Sequence, residues 1–337
     1  MNSVRKRGTM VRGAWLAGLA VTAVLGYRAQ SALAQPPQAT GDIDTIQVRP
    51  NVYMIAGAGA NITVQLGSQG MIVVDTGSAS MTDKALAAIQ RLTAQKIRYI
   101  INTGADADHV GGNEKFAQAG LSIWPYNRLG DAAANSGGAA ILAHDNVNQR
   151  MSTPPEKQAP YATAALPTQS YTGRQIAFYL NDDGVQVIYQ PAAHSDADSI
   201  VFFRRADVIA TGEIFDVTRF PAIDIESGGS IQGEVDALNR LVDLAIPAVP
   251  LVWMEGRTML IPARGRVCDQ ADLVEYRDAV VIVRDLVQAW IKRGMNLDQI
   301  KKQNPTQGYR VKYGSEPGPW TADKFVDAVY TGLTVKN

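Results

Sequence analysis

Three side chains able to bind a cation or move a proton, Asp106, Asp108 and His109, fall within four consecutive positions. They lie in the stretch Ile101-Asn102-Thr103-Gly104-Ala105-Asp106-Ala107-Asp108-His109-Val110-Gly111-Gly112-Asn113. Carboxylates and imidazoles ligate divalent metals and also serve as general acids and bases. Two acids and a histidine in one loop cost free energy to fold unless each charge has a partner. Further along stand His194 and Asp198, four residues apart, then Thr211-Gly212-Glu213, and then Pro262-Ala263-Arg264-Gly265. Asp75, in Asp75-Thr76-Gly77, follows an apolar run and suits the orientation of a ligand histidine or a turn.

The elements that must hold these residues follow from apolar periodicity. Val52 to Ile55, Asn61 to Leu66 and Met71 to Val74 read as strands punctuated by glycine, and Thr82 to Gln95 as a helix. Ile97 to Ile101 predicts a buried strand feeding the acidic loop, Asn113 to Ala119 a helix, and Leu121 to Tyr126 another strand. Residues 128 to 140 read as a variable loop or weak helix. His144-Asp145-Asn146 reads as the start of a helix, which keeps His144 out of the ligand set. The Pro- and Ala-rich segment from Pro154 to Thr168 is an extended surface piece able to border a cleft. A second strand set is expected at Ile176 to Leu180, Val185 to Tyr189, Ile200 to Phe203 and Val208 to Thr211. An amphipathic helix over Ile231 to Leu244 and a strand at Thr258 to Ile261 complete it. Beyond Asp269 the pattern is helical, with Leu273, Tyr276, Val280, Val283, Val287 and Trp290 on one face.

The loop at 101–113 resembles the metal-binding signature of the metallo-β-lactamase superfamily, N-T-H-x-H-x-D-H-x-G-G-N. Asn102, Thr103, Asp108, His109, Gly111, Gly112 and Asn113 match it, while Gly104 and Asp106 stand where the pattern has its first two histidines. His194 and Asp198 match the family's next motif, usually H-T-x-G-D, and Thr211-Gly212-Glu213 stands where T-G-D is common. Arg264 takes the place of the last histidine, in P-G-H-G. The resemblance implies an α+β fold, a metallo-β-lactamase-like αββα sandwich of two mixed sheets flanked by helices, with a C-terminal helical extension. It spans roughly residues 50 to 267.

Carried over residue by residue, the resemblance makes one metal site Gly104, Asp106 and His194. It makes the other Asp108, His109 and Arg264, with Asp198 as the bridge. Glycine offers no ligand, and arginine cannot lose its proton to become one. An ordinary two-zinc centre is therefore not expected. The ligand-capable set left is Asp106, Asp108, His109, His194 and Asp198, with Arg264, Asp75 and Glu213 in orienting or charge-replacing roles. Two readings stay open. One is a one-metal hydrolase acting on an ester, amide, lactone, thioester or phosphoester, using zinc, manganese or iron, with Asp108 positioning water or acting as base. The other is a metal-free, catalytically inactive ligand-binding homologue in which Arg264 replaces the charge of the second ion. Either implies a small-molecule substrate or ligand.

Residues 1–34 carry Arg5, Lys6, Arg7, Arg12 and Arg28 and no acid, then a short apolar core and Ala32-Leu33-Ala34. This is the layout of a secretory signal cleaved near Ala34, placing the mature chain in the bacterial periplasm or outside the cell, with no stable membrane insertion after cleavage. The remainder holds 27 basic against 32 acidic residues, with no basic cluster to engage nucleic acid. The single cysteine, Cys268, excludes an intrachain disulfide. The expected organisation is signal 1–34, flexible lead-in 35–48, main domain 49–268, and a helical extension 269–337 packed on that domain. Trp124, Trp253 and Trp320 read as core or cleft-wall residues, and the sequence carries no signature of oligomeric state.

Overall fold

Strand alternation sets the layers. In β4 (Met71–Val74), Ile72 and Val74 point to one side and Met71 and Val73 to the other, and all four are buried. A strand apolar on both faces must be covered on both faces. The computed structural model describes residues 42–122, 138–154, 159–248 and 256–334. The expected signal segment, and Trp124 and Trp253, lie outside the described residues.

Seven strands form the first sheet in sequence order: β1 (Asp44–Arg49), β2 (Val52–Ala56), β3 (Ile62–Gln65), β4, β5 (Ile97–Ile101), β6 (Ala140–His144) and β7 (Gln169–Tyr171). The pairs are antiparallel as far as β4 and parallel from β4 to β7. The second sheet uses β8 (Gln175–Leu180), β9 (Asp183–Gln190), β10 (Asp198–Phe203), β11 (Val208–Ala210) and β12 (Met259–Ile261), in the order β12-β11-β10-β9-β8. Only β11 and β12 are parallel there.

Ile72, Val74, Ile101 and Leu142 of the first sheet meet Val185, Val187, Val201 and Phe203 of the second. On the outer face of the first sheet, Val64, Val73 and Ile100 pack against α1 (Thr82–Leu92) and α3 (Asn113–Ala119) through Ala85, Ile89 and Phe116. On the outer face of the second, Ile188, Ile200, Ile209 and Leu260 pack against α5 (Ile231–Leu244), α6 (Gln270–Lys292) and α9 (Ala322–Thr334). The expected four-layer sandwich with its helical extension is the fold. Leu273, Tyr276, Val280, Val283 and Val287 are fully buried as their spacing predicts, and a reciprocal Asp269–Asp272 cap starts α6. Short helices α2 (Ala107–Val110), α4 (Asp145–Ser152), α7 (Leu297–Lys302) and α8 (Arg310–Tyr313) complete the set. No helix among the described residues is long and apolar enough to cross a membrane.

Four stretches differ from the expectation. Part of the stretch expected as a flexible lead-in is β1, an edge strand whose side chains are mostly exposed, so burial leaves little mark on its sequence. β6 begins at the end of the expected loop 128–140, and the three-residue β7 is too short for a period to show. Of the strand expected at Leu121 to Tyr126, Leu121 and Ser122 are not in a strand and the rest lies outside the described residues.

One residue opposes the core it sits in. Glu234 on α5 is fully buried, and neither carboxylate oxygen has a hydrogen-bond partner among the described residues. Burial, reinforced by Asp198, raises its pKa well above the glutamate value of 4.5. The folded protein therefore holds a proton that the unfolded chain releases at the ordinary glutamate pKa, so this group's stability contribution falls as pH rises from that value toward the raised one. Glu234→Gln is expected to gain thermal stability relative to wild type on going from pH 5 to pH 8, by about 2–4 °C. Melting curves at the two pH values test this, and a gap that does not widen with pH would show that Glu234 is not buried as an acid.

Candidate functional site

The chemically capable residues gather where parallel strands end. Asp75 follows β4, the 102–106 loop follows β5, Glu213 follows β11 and Arg264 follows β12. Carboxyl ends of parallel strands open a crevice because each chain must turn away there. Asn102 and Asn113 close the 102–113 loop with two reciprocal amide bonds of 3.0 and 2.9 Å, which accounts for asparagine at both ends of the motif. At Gly212, φ is +57° and a Cβ would lie 2.8 Å from Thr103 Oγ1, so only glycine lets the β11 turn approach the acidic loop.

Asp75 accepts from the Thr103 N–H at 2.9 Å and the Thr103 hydroxyl at 2.6 Å, and its Oδ2 lies 2.8 Å from His109 Nδ1. Of the two uses that its position allows, an orienting group or a turn, the contact with His109 matches the first. The other ring nitrogen, Nε2, lies 2.8 Å from Glu213 Oε1. With a carboxylate at each nitrogen, the ring donates twice as an imidazolium. Burial opposes that charge, but Asp75 and Glu213 outweigh it, and the His109 pKa is raised well above its ordinary value.

Arg264 completes the cluster. One amino group donates to Glu213 Oε1 at 2.6 Å and lies 3.4 Å from Asp216 Oδ2, while the other donates to Asp108 Oδ2. Arg219 approaches from behind, 3.2 Å from Glu213 Oε2 and 2.8 Å from Asp216 Oδ2 by its Nε. The Nε contact is an ion pair by proximity, because its N–H is not directed along the bond. Burial penalises the Glu213 carboxylate, yet His109 and Arg264 hold its pKa well below the ordinary value. One carboxylate thus faces three cationic side chains.

The expected five-residue ligand set does not converge as one group. Among the described residues, the set whose ligand atoms lie within 4.8 Å of one another is Asp108, His109 and Glu213. His194 stands apart, its Nδ1–H donating to the Ala222 carbonyl at 2.6 Å and its Nε2 lying 3.4 Å from Asp106. Asp198 accepts from the Ser195 N–H at 2.6 Å and from its hydroxyl at 3.3 Å, and burial pushes its pKa up to about 7. Asp198 is therefore tied to its own turn, and Glu213 is the carboxylate that meets His109, Arg264 and Arg219. A Cβ on Gly104 would lie 3.4 Å from an Asp106 oxygen and 3.8 Å from an Asp198 oxygen, so position 104 does face this half of the cleft. Asp216 and Arg219 were not singled out from sequence, since no motif marks them. The segment expected to border the cleft supplies Tyr161. Its phenol pKa is raised by burial and then by Asp106 and Asp108.

A family model described as the metallo-beta-lactamase superfamily matches residues 55–250, more than half of the chain. The chain belongs to the metallo-β-lactamase superfamily. Among solved structures, it is similar to a double mutant of the sec-alkyl sulfatase PisA1, with a TM-score of 0.59 at 12% identity. The stereoselective inverting sec-alkylsulfatase Pisa1 from Pseudomonas sp. gives 0.57 at 13%. Each match covers 86% of this chain and 50% of the other, so the chain spans about half the length of these alkylsulfatases. A metallo-beta-lactamase from Pontibacter korlensis gives 0.52 at 12% identity, covering 71% of this chain and 99% of that one. At such identities the likeness concerns the fold. No curated protein matches.

Members of the superfamily usually bind metal, and the candidate group here is Asp108, His109 and Glu213. His109 has both nitrogens engaged by carboxylates, and Arg264 holds two of the oxygens an ion would need. Removing the guanidinium leaves Asp108, Glu213 and Asp216 facing one another. Arg264→Ala is expected to lower stability by about 2–4 kcal/mol, the buried-pair penalty reduced for partial exposure of the arginine. Urea unfolding measures this, and a loss under about 0.5 kcal/mol, the usual surface value, would contradict it.

Proposed function

We propose that this metallo-β-lactamase-fold protein is exported and binds a small molecule at its strand-end cleft without running two-zinc hydrolysis. The observation that carries this is the double engagement of Arg264 with Asp108 and Glu213. A guanidinium with bidentate reach suits two carboxylates and is charged at every accessible pH. It supplies positive charge where the resemblance calls for the last metal ligand. That charge is neutralised inside the cluster by Asp108, Glu213 and Asp216, so Arg264 is not a free anchor for an anionic ligand. Export is inferred from the basic, apolar and Ala-x-Ala parts of residues 1–34.

A second reading has one observation in its favour. Asp108, His109 and Glu213 present ligand atoms within 4.8 Å of one another, enough for a single divalent ion of zinc, manganese or iron type. Such an ion would have to take His109 Nε2 from Glu213 and both carboxylates from Arg264. In that state Asp108, whose side chain is partly exposed, is the group placed to position water or accept a proton.

Metal content separates the two. The purified protein is expected to carry no stoichiometric transition metal by elemental mass spectrometry and to show no tight zinc uptake by calorimetry. One ion retained per chain, and lost in His109→Ala, would favour the one-metal reading instead. The triple variant Gly104→His, Asp106→His, Arg264→His is expected to gain two zinc ions per chain. If it binds none, the assignment of these positions to the family's ligand histidines is wrong.

A further inference from the structure

Beside the strand-end cluster, and sharing His194 with it, is a cavity of about 430 Å³ between the 222–226 segment and α9. Its walls are largely apolar, formed by Ile223, Ile225, Trp320 and Ala328, and its size falls in the range that encloses small molecules. The helical extension supplies one whole wall. This cavity has no counterpart in the sequence motifs, because Trp320 and Ala328 lie far beyond the last of them.

The charges around this cavity do not cancel. Asp327 is paired with Lys301 from α7. Lys324 donates to the Pro319 carbonyl at 2.5 Å, which leaves its positive charge at the cavity wall. His194 faces Asp106. Asp224 accepts only from the Ser227 N–H at 3.1 Å, and neither Asp224 nor Glu226 has an ion-pair partner among the described residues. Asp224, the exposed Glu226 and the exposed Lys324 leave the lining with a formal charge of −1. An open, largely apolar groove lined by Trp320 and by acidic side chains is complementary to a cation with an apolar body, since an aromatic ring and a carboxylate both attract positive charge.

We propose that the cavity between the 222–226 segment and α9 binds an organic monocation carrying an apolar group, of the aryl- or alkyl-ammonium class. This names the ligand class for the binding reading above and rests on it. Phenyltrimethylammonium, benzoate and benzyl alcohol, titrated into the full chain by calorimetry, distinguish charge from apolar fit. Phenyltrimethylammonium is expected to bind saturably and benzoate not at all. The double variant Asp224→Asn, Glu226→Gln is expected to weaken the cation about tenfold, and Thr331→Trp, which fills the cavity, to abolish it. Benzoate or benzyl alcohol binding as tightly as the cation would overturn the proposal. So would cation affinity unchanged in the double variant, or no binding by the wild-type chain. Zinc uptake measured on the same sample keeps the two readings apart. Zinc bound with cation binding intact sinks only the metal-free reading, and neither ligand bound sinks only the cavity.

Discussion

Everything at the cleft depends on one carboxylate oxygen, Glu213 Oε1, which receives both His109 Nε2 at 2.8 Å and Arg264 Nη1 at 2.6 Å. The chain turns that bring Asp75, Asp108, Glu213 and Asp216 to the ends of β4, β5 and β11 gather anions faster than water can screen them. Burial at those ends is nearly complete for Asp75, Glu213 and Asp216. Such a cluster must be protonated, paired or filled by a cation. Here the chain itself supplies the cations, as an imidazolium and two guanidiniums. Their side chains arrive from three separate strand ends and turns, so the cluster also ties the two sheets together at this edge.

The support for that cluster comes from the far side of the second sheet. Glu213, Asp216 and Arg219 lie on one short segment, and Phe215 and Phe220 of the same segment point the other way, into the helical extension. Phe215 meets Tyr276 of α6 edge-on at 5.1 Å, and Phe220 stacks on Phe325 of α9 at 4.7 Å. Tyr276 also donates its hydroxyl to the Arg219 carbonyl at 3.1 Å. Aromatic packing of this kind fixes both distance and orientation. The extension therefore holds the ion-pair segment from behind while α9 builds the cavity wall beside it.

Much of this was legible in the residues. Apolar periodicity led only to mixed α and β, the resemblance carried by the 101–113 motif implied the sandwich, and the helix at 231–244 was placed to the residue. The contacts of Arg264 with Asp108 and of Asp75 with His109 agree with one of the alternatives that charge and strand-end position left open. Asp198 and Glu213 show where the reading ran out. Both are acids next to a strand, and sequence does not reveal that Ser195 folds back to cap Asp198 while the left-handed turn at Gly212 delivers Glu213 to the centre. Arg219 was silent because its pairs with Glu213 and Asp216 belong to no motif, and Trp320 read only as a core or cleft-wall residue. The strand β1 was hidden by its exposure.

On the binding reading proposed above, a guanidinium supplies one positive charge where a divalent ion would supply two, and it gives up chemistry. A bound divalent metal offers an open coordination position, where water loses a proton near neutral pH and becomes a nucleophile. A guanidinium offers only N–H donors, all of them directed, and has no vacant orbital to polarise a ligand. In this site Arg264 aims those donors at Asp108 and Glu213, the groups that would otherwise orient water or share an ion. On that reading, electrostatic stability and hydrolytic competence, joined when a metal fills the site, are separated, and the fold keeps the first through its own side chains.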